Sequence, residues 1–120
     1  MIKLICGRSR AGKTTYSKQF KNVIHLDSFG VIPGSYPRVI KKIVEMDGDV
    51  IVEGVYDTAT LRAELLRSYK GGGKKVCIWL NTPAEVIENR FGRWKPKSHP
   101  CCFEPPTHAE GWDEIEVIYG

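Results

Sequence analysis

Residues 7–14 read Gly7-Arg8-Ser9-Arg10-Ala11-Gly12-Lys13-Thr14, a complete G-x-x-x-x-G-K-[ST] string between a strand-like run and a helix-like one. Each position has a physical reason. Glycines let the backbone wrap closely around a triphosphate and aim several N–H donors at its oxygens. A helix starting there adds its positive end. Lys13 supplies a point charge to the β and γ phosphates, and Thr14 a hydroxyl ligand for Mg²⁺. Magnesium suits such a site because it keeps its waters and takes few protein ligands. Candidate phosphate contacts thus run from Gly7 and Arg8 through Ser9, Arg10, Ala11, Gly12, Lys13 and Thr14 to Thr15. A chance glycine-rich turn is the bland alternative, and the flanking elements argue against it.

Two acids follow strand-like runs. Asp27 follows the run at 22–26 and Glu53 closes Val50-Ile51-Val52. In an open parallel sheet ligands sit beyond the carboxyl ends of the strands, which brings both acids beside the phosphate loop. Asp27 precedes a loop containing Gly30, Pro33 and Gly34, a setting for an acceptor pocket, and it is the candidate general base. Glu53 is the candidate carboxylate near Mg²⁺. Plain turn or cap roles are the competing reading for each.

Arg90, Arg93, Lys95 and Lys97 cluster with Trp94 in a proline-rich stretch at about 90–106. Arginines on a closing segment would stabilise the charge of a phosphoryl group in transit, and closure would exclude water. A solvated basic helix end is the alternative. His99, Cys101, Cys102 and His108 raise the question of zinc, but the cysteines are adjacent and lack Cys-x-x-Cys spacing. Stacking of single-stranded nucleic acid on Trp94 is a weaker signal.

The elements that must position these groups alternate between strand-like and helix-like. Strands are expected at 2–6, 22–26, 50–52, 76–80 and 114–119, and helices at about 12–21, 37–46 and 57–70. A further helix starts at Thr82-Pro83-Ala84-Glu85, where a threonine cap, a first-turn proline and a capping-box glutamate agree. Asp57 is the expected cap of the third helix, and Gly71-Gly72-Gly73 its terminator. This alternation is that of an α/β protein, a parallel sheet covered by helices.

With 120 residues the chain fits one domain, 1–120. Its composition, 42% hydrophobic and 27% charged, excludes disordered and fibrous classes. A net charge of +4 favours anionic ligands and is too small to point to nucleic acid alone. The longest apolar run, 76–80, is far too short to span a membrane. Cys6 and Cys77 sit in apolar runs and read as buried thiols, which with no secretory segment gives a cytoplasmic expectation.

Four segments carry a resemblance to P-loop kinases of the polynucleotide 5′-kinase type. They are residues 7–14, His25-Leu26-Asp27-Ser28-Phe29, Ile51-Val52-Glu53-Gly54, and Asn89-Arg90-Phe91-Gly92-Arg93 leading through Pro105 and Thr107 to Glu110-Gly111-Trp112. The likeness implies a three-layer α/β/α P-loop NTPase fold with a five-stranded parallel sheet of order 2-3-1-4-5. It also implies transfer of the γ-phosphate of ATP to a hydroxyl, often the 5′-hydroxyl of a nucleic acid or nucleotide. Asp27 matches the family's base and Arg90 or Arg93 its lid arginine, while Pro105 and Thr107 would lie near the adenine. Such kinases commonly carry an arginine three residues after the base, gripping the acceptor's phosphate. Here that position is Gly30, and Arg38 is the substitute the sequence offers. The chain is short for the family, which leaves the acceptor open: polynucleotide, nucleotide or small molecule. Two further readings remain, a catalytically silent nucleotide-binding module and a simple ATPase.

Overall fold

The run at 2–6 forms β1 (Ile2–Gly7), the centre of the sheet, where every residue but Lys3 is buried. A strand covered on both faces needs this near-continuous apolar sequence. The computed structural model describes residues 1–8, 11–30, 34–46, 48–82 and 103–119. Around β1 lie β2 (Ile24–His25), β3 (Val50–Gly54), β4 (Lys75–Leu80) and β5 (Glu114–Ile118). All pairings are parallel and the order is β2-β3-β1-β4-β5, as the family likeness implies.

The two faces of the sheet carry different cores. Ile2, Leu4 and Cys6 pack with Val39 and Ile43 of α2 (Ser35–Val44) and Leu65 of α3 (Ala59–Ser68). Ile5, on the opposite face by the two-residue alternation of a strand, packs with Ala11, Ile78 and Leu80, and with Tyr16 and Phe20 beyond them. Tyr16 belongs to α1 (Lys13–Ser17). Cys6 and Cys77 are free and buried, their Sγ atoms 3.6 Å apart. Their mutual hydrogen bond, then burial, pushes the Cys77 thiol up and keeps it protonated. Among the described residues no helix is long and apolar enough to cross a membrane.

Element boundaries differ from expectation for local reasons. The first helix, expected over 12–21, ends at Ser17. Ser17 Oγ donates to the Thr14 carbonyl, and the amides of Lys18 and Phe20 bond three residues back, so the chain tightens into turns. β2 therefore begins only at Ile24 and ends at His25, leaving Asp27 in a 3₁₀ turn, Leu26–Phe29. Helix α2 starts at Ser35, two residues before the expected Pro37, since a proline in the first turn removes an N–H that has no helical partner anyway. Thr58 rather than Asp57 caps α3, its Oγ1 accepting from Leu61 N at 3.2 Å. The Asp57 carbonyl instead accepts from Glu104 N.

From Phe103 to Trp112 the chain lies against α3. Phe103 stacks on Trp79 with ring centres 5.8 Å apart, and Trp112 is buried. Arg62 of α3 is fully buried and forks onto Glu110, Nε to Oε1 at 2.7 Å and Nη2 to Oε2 at 3.1 Å. Its Nη1 donates to the Tyr56 carbonyl at 2.6 Å. Glu110 Oε1 also accepts from the Trp112 indole, and Oε2 from Thr107 N. The helix expected from Thr82 and the basic stretch, including Arg90, Trp94, His99, Cys101 and Cys102, lie outside the described residues.

Candidate functional site

The loop that leaves β1 is clamped against the end of β4. A Cβ on Gly7 would stand 2.8 Å from the Leu80 carbonyl oxygen, so only glycine permits this approach. Thr82 Oγ1, buried, donates to the Ala11 carbonyl at 2.9 Å, and Arg8 reaches the Thr82 carbonyl. Gly12 has φ 99°, a left-handed conformation suited to glycine, and turns the chain into α1. The described residues of the loop are thus held by the fold itself. Ser9 and Arg10 lie outside the described residues.

Lys13 is buried, 7% exposed, and its Nζ donates to the Arg8 carbonyl at 2.7 Å across the loop. Burial lowers its pKa from the ordinary 10.5, against the opposing pull of Glu53 and Asp27. These two carboxylates are the acids the sequence singles out, and both act electrostatically on the lysine. An ammonium held in this way gains from any polyanion that replaces the carbonyl. Thr14 and Thr15 are exposed on α1. With only five residues, α1 contributes less dipole than the longer helix expected.

Glu53, 4% exposed, is the next-to-last residue of β3, beside β1 in the register Ile5↔Glu53. The other neighbour supplies His25, whose Nδ1 lies 2.7 Å from Glu53 Oε2. Glu53 and the Thr14 hydroxyl would offer oxygen donors of the kind that Mg²⁺ takes. Among the described residues no cluster of three His, Cys, Asp or Glu forms a closed metal cage.

Asp27 is exposed on its 3₁₀ turn. Its charge reaches both Lys13 and Tyr36. The Tyr36 hydroxyl donates to the Val55 carbonyl, and burial first, then Asp57 and Asp27, push it up and keep it neutral. Gly30, φ 115°, stands where the acceptor-gripping arginine is expected. A Cβ there would meet Arg38 Nη1 at 2.5 Å, while that atom donates to the Phe29 carbonyl at 2.8 Å. The guanidinium of α2 occupies the space a side chain at 30 would enter.

Pro105 and Thr107 are exposed, in a segment held on both sides of them. Glu104 bonds the Asp57 carbonyl and the Ala59 amide, and Thr107 forms a capping box with Glu110. Their segment is tied to α3. Arg90 and Arg93 lie outside the described residues. Sequence reasoning gave no role to His25, Arg62 or Glu110. For His25 the signal was present, a polar residue two before Asp27 at a strand end.

The chain superposes on a solved structure along nearly its whole length. One match is the unliganded crystal structure of a sugar kinase from Janibacter sp. HTCC2649, with a TM-score of 0.66. The fold is kinase-like. The likeness covers 98% of this chain and 84% of that one at 17% identity, a relation of fold. No protein-family model matches the sequence, and no curated protein matches it.

Proposed function

We propose that this chain is an ATP-dependent, Mg²⁺-requiring phosphotransferase that moves the γ-phosphate to a hydroxyl acceptor. The observation that carries the reading is a buried lysine that bonds back onto the loop before it and feels the charges of two carboxylates, Glu53 on β3 and Asp27 on the turn after β2. A kinase fold with those groups at the carboxyl ends of its strands supports the same chemistry.

In this reading the amides of 7–15 and the Lys13 ammonium hold the triphosphate, Lys13 moving from the Arg8 carbonyl to the phosphates. Thr14 and Glu53 would hold Mg²⁺, which would offset the negative charge of the phosphates. Asp27 accepts the proton of the acceptor hydroxyl as its oxygen attacks phosphorus, and ADP leaves with the bonding pair. Arg90 and Arg93 neutralise the group in transit. Arg38 grips an anionic part of the acceptor from the space beside Gly30. The acceptor class is a nucleic acid 5′-hydroxyl, a nucleotide or a related small molecule; the sugar kinase likeness adds sugars to the candidates. Pro105 and Thr107, both exposed, would lie near the adenine.

The test is γ-labelled ATP with Mg²⁺ and a panel of 5′-hydroxyl oligonucleotides, nucleosides, nucleotides and sugars. Label should transfer to one class of acceptor. The variant Asp27→Asn should bind ATP normally and lose transfer by about 10²–10⁴-fold, the usual contribution of a general base. Transfer by Asp27→Asn at the wild-type rate refutes the base assignment. Label released only as free phosphate indicates an ATPase, and binding without turnover a silent module.

A further inference from the structure

Resting on the reading of Glu53 as the carboxylate near Mg²⁺, we propose that His25 is a positioning residue that holds Glu53 away from Lys13 and ready for the metal. Two facts require something of this kind. Glu53 is a buried carboxylate whose charge acts on Lys13 against the effect of burial. Yet among the described residues the two form no ion pair, and Lys13 bonds the Arg8 carbonyl instead. A direct Lys13–Glu53 pair would draw the ammonium away from phosphate and the carboxylate away from a cation.

The competing partner of Glu53 is His25. Nδ1–H donates to Oε2 at 2.7 Å, and Oε1 has no protein donor among the described residues. The fold places this pair by strand register. β2 is two residues long: Ile24 packs into the core, and His25 is the Cα partner of Glu53 on β3. The imidazole is 38% exposed, so it is not filling the core. Its ring carries the donor at a fixed distance from the backbone, which a flexible lysine or arginine would not. Groups that orient a metal-side carboxylate typically change metal affinity or activity by about 10–100-fold when removed.

Two isosteric variants separate this role from packing. Asn carries an N–H donor where His carries Nδ1, and Gln carries one where His carries Nε2. Mn²⁺ serves as probe, its affinity in the presence of ATP read by electron paramagnetic resonance, with thermal melting as a check on folding. His25→Ala and His25→Gln should weaken Mn²⁺ binding about 10–100-fold. His25→Asn should return to within about threefold of wild type, since the same donor is restored. Should His25→Ala not fold, the Asn–Gln contrast decides alone. Equal Mn²⁺ affinity in wild type and the variants, or rescue by Gln with failure of Asn, overturns the inference and leaves the proposed function standing. A wild type that binds neither ATP nor Mn²⁺ with ATP overturns both.

Discussion

Two buried cations, Arg62 and Lys13, differ in their surroundings. Arg62 is fully enclosed, with Nε and Nη2 on Glu110 and Nη1 on the Tyr56 carbonyl. Burial is the largest single effect and opposes its charge, but the Glu110 hydrogen bonds together with the pull of the carboxylate's charge outweigh it and raise the pKa. Lys13 has one carbonyl as its hydrogen-bond partner among the described residues, and burial wins, lowering its pKa. A cation satisfied inside the protein is architecture. One left short of partners beside a shaped loop is where an anion gains most by binding.

Breaking the satisfied cation should have the larger effect. Arg62→Ala leaves Glu110 buried without its partner and should cost about 3–5 kcal/mol in stability. Denaturant titration measures it, and ATP affinity of the folded fraction should be unchanged. Lys13→Met removes a desolvated charge and should melt no earlier than wild type. A large loss of stability in Lys13→Met would erase the contrast.

Acid sharpens it further. Burial would raise Glu110, but hydrogen bonds from Arg62 and Trp112 hold its carboxyl below the ordinary 4.5. A depressed carboxyl stabilises the fold above its unfolded pKa, and that contribution is lost as pH falls through the folded value. Glu110→Gln should therefore be less stable than wild type at neutral pH, with the gap closing below about pH 4.5. A gap independent of pH in thermal melts would contradict this. The smallest effect is alkaline. Because burial lowers Lys13, ATP affinity should fall as pH rises through its lowered pKa, before the ordinary lysine value of 10.5, and Lys13→Met should lack that slope.

The sheet and the loop were legible because they are local signals: apolar runs ending at Gly7, Glu53 and Leu80, and a spaced motif at 7–14. The burial of Cys6 and Cys77 followed from those same runs. The length of α1 was not legible, since it is cut short by the Ser17 hydroxyl and by turn bonds at 18–20 that helical periodicity does not encode. Arg62 and Glu110 lie 48 residues apart, and no spacing rule relates them. His25 acquires its partner only through the register of β2 on β3. Arg38 was named in the sequence as the substitute for an arginine at 30; its guanidinium against Gly30 needed the packing of α2 on the 3₁₀ turn.

The most direct measurement is calorimetric titration of Mg·ATP into wild type and Lys13→Met at neutral pH. The account predicts saturable one-to-one binding by wild type. Lys13→Met should bind about 10–100-fold more weakly, the contribution of a charged hydrogen bond of roughly 1.5–3 kcal/mol. Equal binding by the two proteins, or none by wild type, would contradict the assignment of this loop to a triphosphate.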